Sequence, residues 1–138
     1  MLDLDPQASL TLSLGFRKPD DLCPTVSDVM RNVIENSEIT KDFPVLRNSE
    51  GVFLIPSNIE LSGMEVRLVN EMSREQVLKS YVDSVKDQYD FILIDCMPSF
   101  GILTLNALCA VSFPRSRNSF LRRGWNSSSV RSAKFVKE

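Results

Sequence analysis

The chain has no histidine, only three cysteines in 138 residues, and no G-x-x-x-x-G-K-[ST] loop. Without histidine, imidazole acid/base chemistry is excluded and most zinc sites lose their usual ligand. Cys23, Cys96 and Cys109 are odd in number and lack metal-ligand spacing, which argues against a disulfide framework. No apolar run approaches the roughly 20 residues that span a bilayer, and no basic segment leads into a long apolar stretch at the N-terminus. Neither membrane insertion nor export is signalled, so the expected address is the cytoplasm, with no membrane partner. The missing loop removes the usual backbone cradle for a nucleotide's phosphates.

What is present is a chain of ordinary globular composition, with 43% apolar and 25% charged residues, long enough for one core. Its net charge of −2 hides a split. Residues 1–110 hold nine Lys+Arg against seventeen Asp+Glu, whereas 111–138 hold seven basic residues against Glu138 alone. Beyond Val111 serine and arginine dominate and the apolar residues follow no helical or strand period, the pattern of a tail that does not pack.

Before that point the chain alternates strands and helices. Met1–Leu4 reads as the end of a buried strand, with Asp5 at its exit and Pro6 placed to open a turn that Asp5 caps. A loop from Arg17 to Pro24 follows. Thr25 then caps a helix carrying Val26, Val29, Met30, Val33 and Ile34. Val52–Ile55, ended by Pro56, and Phe91–Ile94 are short continuous apolar runs, as expected of central parallel strands covered on both faces. Between them Val77, Leu78, Tyr81, Val82 and Val85 fit a helix over 73–88 with Ser73 as cap. Ser99 is the expected cap of a last helix, Gly101 to Ala110. Strand, helix, strand with short connections makes a right-handed crossover, so the strand ends share one edge and Asp5, Pro56 and Asp95 lie along one rim.

Two of these strands stop at a carboxylate and turn, which is how nucleotide-hydrolysing α/β proteins present an acid to Mg²⁺ and phosphate. One carboxylate suffices for Mg²⁺, which keeps several waters, and Asp95 at the end of a stiff strand suits that role. Asp95 also reads simply as a polar strand terminus. Of Asp3 and Asp5, only Asp5, at the strand exit, is free to approach a γ-phosphate or orient a water. Asp5 also reads as the N-cap of a helix that Pro6 opens, and the two roles can coexist.

Together, D-L-D-P-Q-A-S-L-T, I-P-S-N-I-E-L-S-G-M-E and Y-D-F-I-L-I-D-C-M-P-S-F-G-I-L-T-L-N-A-L resemble, in order and spacing, the ParA/Soj family of partitioning ATPases, relatives of MinD. The resemblance covers about residues 1–110. It implies an α/β fold of the phosphate-loop NTPase type: a partial doubly wound, mainly parallel sheet with helices on both faces, here without its first βα unit and its C-terminal third. It implies an ATPase that uses ATP and Mg²⁺, dimerises around the nucleotide, binds DNA without sequence preference and answers to a ParB-type centromere-binding partner. By resemblance Asp5 is the catalytic acid that positions the hydrolytic water, Asp95 holds Mg²⁺ through water, and Asp3 joins Asp95 among the cofactor-binding acids. Met97 stands where many relatives have a second proline. With the family's phosphate loop and both its lysines absent, this chain is expected to be an inactive fragment of a plasmid or chromosome partitioning ATPase.

The division expected is 1–110, a partial ParA-like ATPase domain, and 111–138, a basic Ser/Arg-rich tail without structure. The genetic code suggests where the tail comes from. Read from the third base of each codon, Val111–Pro114 permits Ile-Ile-Pro, and residues 117–128 permit a string resembling the family's next helix. Trp125 has one codon, so Trp125-Asn126 must then give Glu and Gly124-Trp125 only Met, Leu or Val, both in agreement. The tail is therefore read as an out-of-frame translation. The alternative is a non-enzymatic remnant that binds DNA or a partner through an evolved basic arm.

Overall fold

Residues 1–35, 37 and 43–111, with the backbone of 133–136, are described by the computed structural model. The elements run β1 (Leu2–Leu4), α1 (Ser9–Ser13), α2 (Val26–Ile34), β2 (Leu46–Arg47), β3 (Phe53–Leu54), α3 (Glu60–Leu68), α4 (Val77–Val85), β4 (Phe91–Cys96), α5 (Ile102–Ala110) and β5 (Ala133–Val136). The chain is α/β, built on the parallel pairing of β1 with β4 in the register Leu2↔Ile94, Asp3↔Asp95, Leu4↔Cys96. β3 runs on into Ile55, which bridges Leu2 in parallel; Asp3 N–H donates to Ile55 O and Ile55 N–H to Met1 O. The exits of β1, β3 and β4 therefore lie at one edge, as the crossover argument requires.

Side chains alternate across the pleat, and the two faces of the sheet differ in kind. Leu2, Leu4, Ile55, Ile92, Ile94 and Cys96 point into a core completed by α2, α3, α4 and α5. The opposite face carries the buried Asp3 and Leu54, with α1 against β1, so helices lie on both sides. Over β4 that second face is less buried. Phe91 is 57% exposed and Leu93 and Asp95 are half-buried, so this strand is covered fully on one face, not both as its apolar run suggested. β3 lies between β1 and β2, but it is neither flanked by parallel strands on both edges nor covered on both faces. Its outer edge takes β2 in an antiparallel pair that the sequence reading did not include, and Phe53 is half-exposed there under the Arg47 guanidinium.

The cap at Thr25 forms as expected. Thr25 N–H donates to Asp28 Oδ2 (2.8 Å) in a capping box, and Arg31 pairs with Asp28 Oδ1. Two other expected caps do not form. Ser73 sits in the left-handed region (φ 51°) before a 3₁₀ turn and α4 begins only at Val77, while α5 is preceded by extended Gly101 rather than capped by Ser99. A Cβ at 101 would lie 3.0 Å from Glu65 Oε1, a contact that a small shift of that flexible side chain relieves. The N-terminus of α4 is capped from another helix: Asn106 Oδ1 accepts from Leu78 N–H (3.0 Å), and its Nδ2 donates to Arg74 O (2.8 Å) and Ile102 O (2.9 Å). Asn106 is fully buried and satisfied, a clamp between α4 and α5.

The edge of β4 away from β1 carries Ala133–Val136 in antiparallel register, Phe91↔Val136 to Ile94↔Ala133. Four residues of the expected structureless tail thus form a strand, because the free edge of β4 offers unpaired backbone groups that an extended segment satisfies. Val111 is buried in the core; the remainder of the tail, Trp125 included, lies outside the described residues.

Replacing Asn106 by Leu strands the Leu78 amide in the interior and removes the partner of the half-buried Arg74 carbonyl bond. We expect a loss of about 2–4 kcal/mol in unfolding free energy, read by urea denaturation, with little change in m-value.

Candidate functional site

The rim is set by where parallel strands end. Asp95 is level with Asp3, and Asp5 follows Leu4, the partner of Cys96, so Asp5 stands two residues further along the strand direction than Asp95. Both carboxylates are half-buried. Pro56 follows Ile55 at the same edge, so the structure brings Asp5, Asp95 and the Pro56–Asn58 loop together as the sequence implied.

Asp5 closes a turn. Its Oδ1 accepts from Gln7 N–H (2.9 Å) and its Oδ2 from the Ser9 hydroxyl (3.4 Å), which orients the carboxylate and leaves further lone pairs. No helix begins at Pro6; α1 starts at Ser9, after Ala8 in the left-handed region (φ 54°). Asp5 therefore caps a tight turn and not a helix.

Asp3 is placed differently from the other two. It is 0% exposed, and its oxygens are occupied within the chain: Oδ1 accepts from Asp5 N–H (3.1 Å), and Oδ2 from Thr11 N–H (2.8 Å) and the Thr11 hydroxyl (2.7 Å). Burial pushes its carboxyl above the usual aspartate range, against the pull of those three donors, with Asp5 adding a smaller push upward. Thr11, buried in the middle of α1, closes the D-L-D-P-Q-A-S-L-T block but was given no role from sequence; a buried acid in the strand with a hydroxyl eight residues on was the available clue.

Cys96 lies beside the acids but faces the core. Burial, then the Asp95 charge, raises its thiol pKa, so it stays protonated at neutral pH and is a poor nucleophile. Phe100, in the turn after β4, is 94% exposed at the rim. Among the described residues no group of three or more acidic or thiol side chains is gathered to bind a metal ion. The donor set at Asp5 and Asp95 is hard oxygen, reachable from solvent and suited to a largely hydrated Mg²⁺. For a triphosphate the fit is incomplete, because the sequence supplies no glycine-rich loop or lysine of the phosphate-loop kind.

Truncating Asp3 to Ala leaves three donors unpaired, two of them on buried Thr11, and should cost about 2–3 kcal/mol of stability. The pH dependence has a definite sign. Because the folded-state pKa of Asp3 is raised, the native state binds the proton more readily than the unfolded one, so its contribution falls as pH rises above about 3.8 through the folded pKa. Denaturation across that range should show this decline in the parent and not in the Ala variant.

A family model described as an AAA domain matches residues 1–113. The chain is 42% identical over 112 residues to the chromosome-partitioning ATPase Soj of Treponema pallidum, covering 81% of this chain and 41% of that protein. It is 41% identical over 111 residues to the sporulation initiation inhibitor protein Soj of Bacillus subtilis, covering 80% and 42%. Among solved structures it superposes on cobyrinic acid a,c-diamide synthase from Mycobacterium smegmatis with bound ADP and magnesium. That match has a TM-score of 0.68 at 41% identity and covers 79% of this chain and 42% of that one. The chain spans about two fifths of the length of these relatives. No helix among the described residues is long and apolar enough to cross a membrane. With most of its length matched, and relatives above 40% identity over four fifths of it, the chain is a ParA/Soj-type member of the AAA domain family.

Proposed function

We propose that this chain is part of a ParA-like ATPase that partitions plasmid or chromosomal DNA, with the acids of the rim serving MgATP. The observation that supports this most is the parallel register of β1 with β4, which sets Asp5 and Asp95 at the same strand exits. Asp5, oriented by Gln7 and Ser9, is the acid that positions the attacking water. Asp95 holds Mg²⁺ through water, and the ion when bound neutralises charge on the phosphates. Asp3 serves the site through the backbone of Asp5 rather than as a ligand. Soj is named an ATPase and the solved neighbour was crystallised with ADP and magnesium, so the nucleotide reading does not depend on which activity a relative performs.

The rest of the proposal concerns the whole protein. It is an ATP-dependent homodimer in the cytoplasm that binds DNA without sequence preference and meets a ParB-type partner. Residues 1–110 form its partial ATPase domain, and 111–138 are an out-of-frame tail. As written the chain lacks the phosphate loop, so it is inactive alone. A second reading, a DNA-binding remnant, is favoured by the seven basic residues after Val111.

Titration of the 138-residue chain with MgATP in a calorimeter should give no binding heat up to millimolar nucleotide, and measurable turnover would overturn the inactive reading. If the upstream DNA encodes a phosphate loop, the extended protein should hydrolyse ATP, and Asp5→Ala should then lower kcat about 100-fold or more while nucleotide affinity changes little. Retention of the short chain on DNA with a steep salt dependence would favour the remnant.

A further inference from the structure

We infer that Thr11 is a positioning residue whose hydroxyl locks the Asp5 turn to the Pro56–Asn58 loop, so that two segments of the rim open and close as one unit. The inference rests on the proposed reading of Asp5 as the working acid. Its physical basis is the hydrogen-bond capacity of one hydroxyl, which has a single proton to give and two lone pairs to accept with. The Thr11 proton goes to Asp3 Oδ2 (2.7 Å), and a lone pair then accepts from Ser57 N–H at 3.2 Å, across 46 residues of sequence. An ionised Asp3 is acceptor-only, which fixes the direction of the Thr11 O–H and turns its lone pairs toward Ser57.

From Asp3 the connection continues to the working acid, because Oδ1 holds the Asp5 amide. From Ser57 it continues through the peptide to Pro56, whose carbonyl accepts from Val26 N–H at the start of α2 (2.8 Å). The loop is held here by backbone. Among the described residues Ser57's own buried hydroxyl has no partner, and the Thr11 contact at its amide ties the loop to the Asp5 turn through a side chain. Asp3, Thr11 and Ser57 are each 0% exposed, so water does not stand in readily for a lost bond.

Valine is close to threonine in shape but has no hydroxyl, whereas serine keeps the hydroxyl and loses a methyl. Amide hydrogen exchange in the nucleotide-free 138-residue chain separates them. Thr11→Val should speed exchange at Asp5 and Ser57 together by about 10–100-fold while Ile94 and Val82 keep their rates, and Thr11→Ser should stay within about threefold of the parent. A merely structural role would accelerate the core amides equally and would not be rescued by serine, and either result overturns the inference, as does acceleration at one of the two amides alone. If Thr11→Val fails to fold, the parent decides. Its Asp5, Thr11 and Ser57 amides should share one opening free energy and one denaturant slope below global unfolding, and separate openings overturn the coupling. Because no nucleotide is used, a failed MgATP experiment leaves this result standing.

Discussion

The buried carboxylate of Asp3 is the constraint on which the rim depends. A charge withdrawn from water costs several kcal/mol unless it is paired or well supplied with donors, and no cation approaches this one among the described residues. Three donors do: the Asp5 amide, the Thr11 amide and the Thr11 hydroxyl. To deliver them the chain must leave β1, turn at Asp5 and come back over the sheet within eight residues. That return forces Ala8 into the left-handed region, a cost of about 1 kcal/mol for a residue with a Cβ. The bonds to Asp3 offset it. The shape of the turn that aims Asp5 is thus over-determined by a residue that never reaches solvent.

The same acid explains why the sheet has two unlike faces. Parallel pairing puts Asp3 and Asp95 side by side on one face and Leu2, Leu4, Ile94 and Cys96 on the other. The apolar face packs on α2, α4 and α5, and its burial at about 25 cal/mol per Å² supplies most of the stability that lets polar groups sit on the opposite face. Stability and chemistry are therefore segregated across one sheet. Helix α1 lies against β1 on the polar face, while over β4 Asp95 is half-buried and Phe91 largely exposed.

Much of this was legible because it is local. The cap at Thr25, the apolar period of α2 and α4, and the two strand-ending acids are set by residues within four positions of one another. What was not legible is set by distance in sequence. Asn106 caps α4 from 28 residues away, so Ser73 looked like the cap although no local pattern could reveal its competitor. Thr11 meets Ser57 across 46 residues, and β2 exists because it lies against β3, not because two residues prefer to be extended. The near-continuous apolar run of β4 suggested burial on both faces, but composition records which side chains tolerate burial and not which neighbours arrive to bury them.

The strand at Ala133–Val136 bears on how the tail should be judged. Pairing on the edge of β4 is made by backbone N–H and C=O groups, which every residue but proline carries, and antiparallel addition to an otherwise parallel pair needs no particular side chain. A segment need not have been selected to occupy such an edge. An out-of-frame stretch of Ala-Lys-Phe-Val, two of its residues β-branched or aromatic, has enough extended preference to do so. The strand is therefore compatible with the frameshift reading and gives no weight to an evolved arm. What would speak for an arm is a basic face presented in register, and the charges of the tail are scattered between serines without that period.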